Sequence, residues 1–404
     1  MHAPPSPRAA TDTVVAGLLA LAVAMGIGRF AFTPLLPLMM RDGELDAVAG
    51  AEWAMANYIG YLIGALTAAR VAREPRRAAL IGLAGVALST VAIGLLTPAS
   101  LGLGGPLLRG ASGVFSAWVL VGTSGWCLVE LARVRQSALA AWIYTGVGCG
   151  IAAAGLLAWL GGAQPARWLW LELGLVAAAG AAWVGRVASR STRLSPEPDA
   201  RPQPAHASPP ALNEGTGFAD IGFILCYGAF GYGYIVLATF LPAMARQSID
   251  HPLAFGLTWP VFGLAAAASV ALTARWCGSA SRQRVWAIAQ ATMAVGTVLP
   301  LWSVALGTLV VSAVLVGGTF MVTTMAGLQL ARERHPANPT PLVAGMTIAF
   351  AAGQIVGPVL IRVLNAHPVG GLDALAWANL VATAALAASS VWLWRAQPGR
   401  NERP

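Results

Sequence analysis

Charge is almost absent from stretches of about twenty residues that recur along the whole chain, and this spacing limits the possible fold more than any motif does. An α-helix needs roughly 20 residues to cross the ~30 Å hydrocarbon layer of a bilayer. Runs of that kind lie near Thr13 to Met40, Ala49 to Ala69, Ala78 to Leu96, Pro106 to Val129, Ala138 to Leu160 and Trp168 to Val187. Six more follow near Phe218 to Met244, Leu253 to Ala274, Val285 to Trp302, Leu306 to Leu330, Pro341 to Leu364 and Asp373 to Trp394. Hydrocarbon offers a bare backbone no hydrogen-bond partners, so each run is predicted as a transmembrane helix. The first run passes an internal Arg29 and is too long for the apolar core of a signal peptide. Charged residues make up 10% of the chain, against about 25% in soluble domains, which argues against a water-soluble fold.

A formal charge of +9 would suit a nucleic-acid binder if the arginines formed one basic face. They sit instead in short gaps between apolar runs. Nineteen lie in the two tails and in alternate connections, three (Arg41, Arg167, Arg246) in the opposite connections, and Arg29, Arg109 and Arg362 inside spans. Short cytoplasmic loops accumulate positive charge, so both termini are predicted to be cytoplasmic and nucleic acid is not expected as a partner. The cysteines Cys127, Cys149, Cys226 and Cys277 form no C-x-x-C pair, and no histidine cluster accompanies them, so neither a disulfide nor a metal site is expected.

One long polar stretch, residues 189–217, is rich in proline and reads as a cytoplasmic linker between residues 1–188 and 218–404. The two parts resemble copies. Gly26-Ile27-Gly28-Arg29 running to Leu36-Pro37-Leu38-Met39 matches Gly231-Tyr232-Gly233-Tyr234 running to Leu241-Pro242-Ala243-Met244 at a constant offset of 205. Weaker echoes pair Ala65 to Arg70 with Ala271 to Arg275, and Leu131 to Arg135 with Leu330 to Arg334. Both parts begin on the same side of the membrane, which makes the repeat parallel and predicts an all-α membrane protein of two pseudo-symmetric six-helix bundles.

Twelve helices in two sixes with a central linker resemble the major facilitator superfamily. The run from Gly26 to Met39, together with Ala352-Gly353-Gln354-Ile355-Val356-Gly357-Pro358, is similar to its YbfB/YjiJ type. In the fourth span Arg109, Gly113 and Ala117 fit the R-x-x-x-G-x-x-x-A pattern that the superfamily associates with proton coupling. The loop after the second span supplies arginines but lacks the aspartate of the superfamily's G-x-x-x-D-R-x-G-R-R. The resemblance implies secondary transport of a small solute by alternating access in a bacterial inner membrane, as a monomer among membrane lipids. It names neither the solute nor its direction.

Arg29 lies mid-span, where an arginine costs roughly 2.5–3.5 kcal/mol on insertion scales, so it should face an aqueous cavity or a partner. Gly26, Arg29, Thr33 and Pro37 share one helical face, which leads to Arg29 as an anion contact; a structural pair with Glu52 or Glu172 is the alternative. Tyr234 is its counterpart in the repeat. Asn57, Tyr61, Tyr144, Trp259 and Gln354 complete the expected substrate-binding set, each with helix packing as the alternative. Arg109, Glu52, Glu172 and Asp220 are the candidates for coupling to protons; Arg109 serves equally well as a helix anchor, and the carboxylates lie toward span ends. The glycines of the fifth and eleventh spans read as packing residues. All five histidines fall in tails or loops and no nucleophile–base set is present, so an enzyme is not expected and no cofactor is called for. A lean toward an organic anion follows from the mid-span arginines, with a proton-coupled drug exporter as the runner-up. A non-transporting receptor belongs to a different class.

Overall fold

The structure, a computed structural model, describes residues 7–136, 139–194, 218–248, 256–276, 280–336, 339–366 and 371–396. Among them the chain is helical and no strand occurs. The first helix, α1, has three pieces: Pro7–Leu21 and Phe32–Arg41 are α-helical, and Ala22–Phe30 between them is π-helical. After it come α2 (Ala47–Val71), α3 (Pro75–Gly94), α4 (Pro98–Arg133), α5 (Ala140–Leu160) and α6 (Ala166–Leu194). The remaining helices are α7 (Phe218–Ser248), α8 (Thr258–Trp276), α9 (Arg282–Trp302), α10 (Leu306–Arg334), α11 (Thr340–Ala366) and α12 (Ala374–Arg395).

Local chemistry sets several of the boundaries. Asp46 and Asp373 accept the backbone N–H groups of Ala49 (2.7 Å) and Ala376 (2.6 Å), which caps α2 and α12. The fourth helix starts eight residues before the expected Pro106, because Thr97 and Ser100 form a reciprocal capping box around Pro98. Of the glycines that follow, Gly105 serves packing, since a Cβ on it would collide with the Trp53 ring. Helix α6 is described through Leu194, into the stretch expected as linker. The rest of that linker, 195–217, lies outside the described residues, as does Cys277.

Ten helices are long and apolar enough to cross a membrane by length and composition. The two others are α2, whose mean hydropathy is lowered by polar residues such as Glu52 and Asn57, and α8, of which the apolar stretch Thr258–Thr273 lies among the described residues. They occupy the same place, second, in each half of the chain.

The chain divides into two compact units, Met1–His206 and Ala207–Pro404. In the first, α1 packs on α4, α5 and α6, α2 on α4, and α3 on α4 and α6; in the second, the same list holds with six added to every helix number. Repeated glycines account for several of the close contacts among them. A Cβ on Gly26 would stand 2.3 Å from the Gly150 carbonyl carbon in α5, and a Cβ on Gly231 would stand 2.3 Å from the Phe350 carbonyl oxygen in α11. A Cβ on Gly113 would likewise collide with the Asn57 carbonyl of α2, and one on Gly317 with the Phe262 carbonyl of α8. Helices without a hydrophobic force between them gain from such backbone contact; Gly146 and Gly150 of α5 and Gly353 of α11, where a Cβ would collide with the carbonyls of Leu18, Ala22 and Gly228, have the packing role expected of glycines in the fifth and eleventh spans.

At the far end of the first unit, the guanidinium of Arg41 bridges Asp42 (2.7 Å) and the carbonyls of Gly162 and Gln164, while Asp42 accepts the Ala166 N–H at 2.7 Å. One ion pair thus ties the α1–α2 turn to the α5–α6 turn and caps α6.

Candidate functional site

The π-helical piece of α1 is the centre of the polar chemistry in the first unit. A wider helical turn displaces carbonyls from their usual donors, and Pro34, which has no N–H, can supply neither the Phe30 carbonyl four residues back nor the Arg29 carbonyl five back. Side chains of α2 and α4 provide donors instead. Arg109 Nη1 donates to Gly28 O at 2.8 Å and its Nη2 to Arg29 O at 2.9 Å. Ser112 Oγ donates to Gly28 O at 2.9 Å, Ser116 Oγ to Ala24 O at 2.8 Å, and Asn57 Nδ2 to Gly28 O at 3.3 Å and to Arg109 O at 2.9 Å. Arg109, Ser112 and Ser116 recur at helical spacing, so one face of α4 serves one stretch of α1. The fully buried Asn57 keeps its Oδ1 without a hydrogen-bond partner, as Arg109 does its Nε.

Arg29 projects from this braced segment and is buried. Its guanidinium carbon stands 3.9 Å from the centre of the Tyr61 ring, 5.3 Å from that of Phe30 and 5.9 Å from that of Tyr58. That is an aromatic cradle for a cation. Arg109 lies over the Phe32 ring at 5.0 Å. The fold therefore brings Arg29, Tyr61, Asn57 and Arg109 together, and adds Tyr58, Phe32, Ser112 and Ser116, which sequence reasoning had not singled out. The serines were legible as an R-x-x-S-x-x-x-S face. Tyr144 stands apart from this group: its hydroxyl is 3.0 Å from Ser124 Oγ.

In the second unit the equivalent positions carry rings. Tyr234, at the place of Arg29, is buried between Phe320 (5.5 Å, 7° between planes) and Phe350 (5.7 Å, 8°), and its hydroxyl accepts from Gln354 Nε2. Phe262, at the place of Asn57, stacks on Trp259 at 4.9 Å and on Phe320 at 5.6 Å. Tyr227 and Phe230 extend the cluster toward Phe350, at 5.5 Å and 5.1 Å. Tyr234, Gln354 and Trp259 are thus joined through Phe320 and Phe262 into one aromatic group.

The acidic candidates lie elsewhere. Asp220, buried in the first turn of α7, sits 3.0 Å from His335 Nε2 and 3.6 Å from Arg334 Nε, where α10 ends. Glu172 is exposed on α6 and accepts the Gln164 amide at 3.0 Å. Glu52 is half-buried one turn into α2. Among the described residues no group of three or more His, Cys, Asp and Glu side chains is arranged to hold a metal.

No curated protein sequence matches the chain. Among solved structures it is similar to a crystal structure of a D-xylose–proton symporter, with a TM-score of 0.66 at 12% identity over 96% of this chain and 97% of that one, a likeness of fold. A family model described as "Uncharacterised MFS-type transporter YbfB" matches residues 21–393. The chain therefore belongs to the YbfB type of major facilitator transporters, twelve helices in two pseudo-symmetric six-helix bundles, and is a secondary transporter.

Proposed function

We propose that the protein carries a small organic anion across a bacterial inner membrane by alternating access, with Arg29 as its principal contact. The observation that carries this reading is the pair of buried guanidinium groups on one stretch of α1, Arg29 on its aromatic cradle and Arg109 bonded to the carbonyls of Gly28 and Arg29. Burying positive charge at mid-span is costly, and a carboxylate or phosphate that accepts a bidentate bond offsets the cost. Tyr61 and Asn57 accompany Arg29 as candidate contacts in the first unit, with Tyr144 a separate candidate there, and Tyr234, Trp259 and Gln354 are the candidates in the second unit. The bundles comprise residues 1–188 and 218–404, joined by 189–217, and the working unit is a monomer.

A second reading, a proton-coupled exporter of amphipathic drugs, draws on the aromatic group around Tyr234, whose stacked rings suit a flat apolar body. Proton coupling also comes to mind from the name of the D-xylose–proton symporter. Asp220, held by Arg334 and His335, is the buried carboxylate that would serve it, with Glu52, Glu172 and Arg109 as the other candidates.

Uptake into proteoliposomes separates these readings. Labelled mono- and dicarboxylates and sugar phosphates are expected to enter saturably and to compete with one another, while a neutral pentose and an amphipathic cation do not. An imposed pH gradient then tests the coupling. Saturable movement of the cation, unaffected by any of the anions, would overturn the anion reading.

Orientation has its own test, which rests on the nineteen arginines against three. In a protein freed of native cysteines, a cysteine at Asp250 is expected to react with a membrane-impermeant thiol reagent added outside cells, and one at Ser208 to stay unlabelled. Both positions lie outside the described residues. The reverse pattern would invert the assigned topology.

A further inference from the structure

Helices α3 and α6 leave a groove of about 450 Å³ between them at the end where the arginine-rich connections lie, lined by Leu80, Ala182, Gly185, Arg186, Ser189 and Arg190. Its width comes from small residues: a Cβ on Gly185 would still stand 3.9 Å from Leu80 Cδ2. Arg186 and Arg190 are one helical turn apart and exposed. Among the described residues neither forms an ion pair and no carboxylate lines the groove. At the same end, by contrast, Arg77 and Arg133 each have a glutamate three residues before them in the chain, Glu74 and Glu130, at 3.7 Å. Cations near the end of α6 favour the helix dipole, but that effect does not call for a groove beside them.

The groove continues into an apolar track. Leu88 follows Leu80 by eight residues on α3, and Leu175 precedes Ala182 by seven on α6, so each lies on the groove-facing side of its helix. Both are bare, at 71% and 67% exposure, as side chains that meet lipid tails would be. Two arginines beside a track of this kind match the two ends of a phospholipid, a phosphate and an acyl chain. A basic pocket between transmembrane helices at the cytoplasmic surface is a recognised form of anionic headgroup site.

We infer that this groove binds one anionic phospholipid from the adjoining leaflet, with its phosphate between Arg186 and Arg190 and an acyl chain along Leu80, Ala182, Leu88 and Leu175. The site is independent of the transport site. Its guanidinium groups hold the phosphate by charge-assisted bonds, and the acyl track excludes a phosphate that has no tail from comparable affinity.

Native mass spectrometry of the full chain, released from detergent and titrated with phosphatidylglycerol or chain-matched phosphatidylcholine, tests the assignment. The unaltered protein is expected to bind one phosphatidylglycerol in preference to phosphatidylcholine. The double substitution Arg186→Gln and Arg190→Gln is expected to weaken phosphatidylglycerol binding roughly thirtyfold, the combined effect of two surface arginines, and to leave phosphatidylcholine unchanged. Arg186→Lys with Arg190→Lys should keep most of the affinity, which separates charge from any loss of fold. Leu80→Trp fills the groove without touching charge and is expected to expel the lipid. Equal phosphatidylglycerol binding by the unaltered and glutamine-substituted proteins would overturn the proposal. Displacement of the lipid by millimolar inorganic phosphate would also overturn it, assigning the site to the free anion.

Discussion

Replacing Arg109 with methionine is expected to remove most of the folded protein, because it leaves the carbonyls of a distorted helix without their donors. The volume is kept, so the loss is one of hydrogen bonds. Bonds to a charged donor contribute about 1.5–3 kcal/mol each, and Arg109 makes two, to Gly28 and Arg29. Removing a buried charge is favourable in itself and offsets part of this, so a net cost of about 3 kcal/mol is expected, enough to deplete a marginally stable protein. The two carbonyls do not suffer alike. Gly28 O retains Ser112 Oγ and Asn57 Nδ2, whereas Arg29 O loses the side-chain donor that reaches it. Ser112→Ala should therefore be mild, and Arg109→Lys, whose single ammonium cannot bridge both carbonyls with the same geometry, intermediate. Thermal unfolding in detergent, followed by size-exclusion fluorescence, checks the order. Normal stability of Arg109→Met would mean that α1 holds its π turn without Arg109.

Twelve helices follow from the spacing of charge, and the duplicated Gly26 and Gly231 mark equivalent helix contacts because a position that admits no Cβ must be glycine in both copies. The π turn was not legible. Its register depends on which carbonyl each N–H finds, and apolar side chains at Ala22 to Ile27 suit either spacing. The partner of Arg109 was also hidden, for a physical reason: sequence reasoning looks for an acid to pair with a base, whereas the acceptors here are backbone carbonyls, which every residue owns. The early start of α4 was legible in Thr97-Pro98 and was obscured by the glycines behind it. In the second unit, Tyr234 and Gln354 were visible as singular residues; the rings of Phe262, Phe320 and Phe350 were not, since a phenylalanine in a membrane span is as easily turned to lipid as to a neighbour.

Arg29→Ala is expected to abolish transport of an anionic solute in a protein that still inserts and folds, and Arg29→Lys to reduce it about ten- to a hundredfold. Arg109, Ser112, Ser116 and Asn57 bind the backbone of residues 24–29, so the π turn does not depend on the Arg29 side chain. That side chain rests on Tyr61 at 3.9 Å, with Tyr58 and Phe30 around it. A planar guanidinium can stack on a ring and at the same time present two parallel N–H groups in its own plane to a carboxylate or phosphate; an ammonium does neither. Losing one charge-assisted bond of about 1.5–3 kcal/mol gives the range stated for lysine. The competing role, half of a structural pair with Glu52, has a different signature. In that case Arg29→Ala strands a carboxylate and depletes the protein, and adding Glu52→Gln restores both yield and transport, because no uncompensated charge remains. Transport per folded molecule, measured for the three single variants and for the Arg29→Ala/Glu52→Gln pair, separates the roles. Full activity in a well-folded Arg29→Ala protein would remove Arg29 from the site.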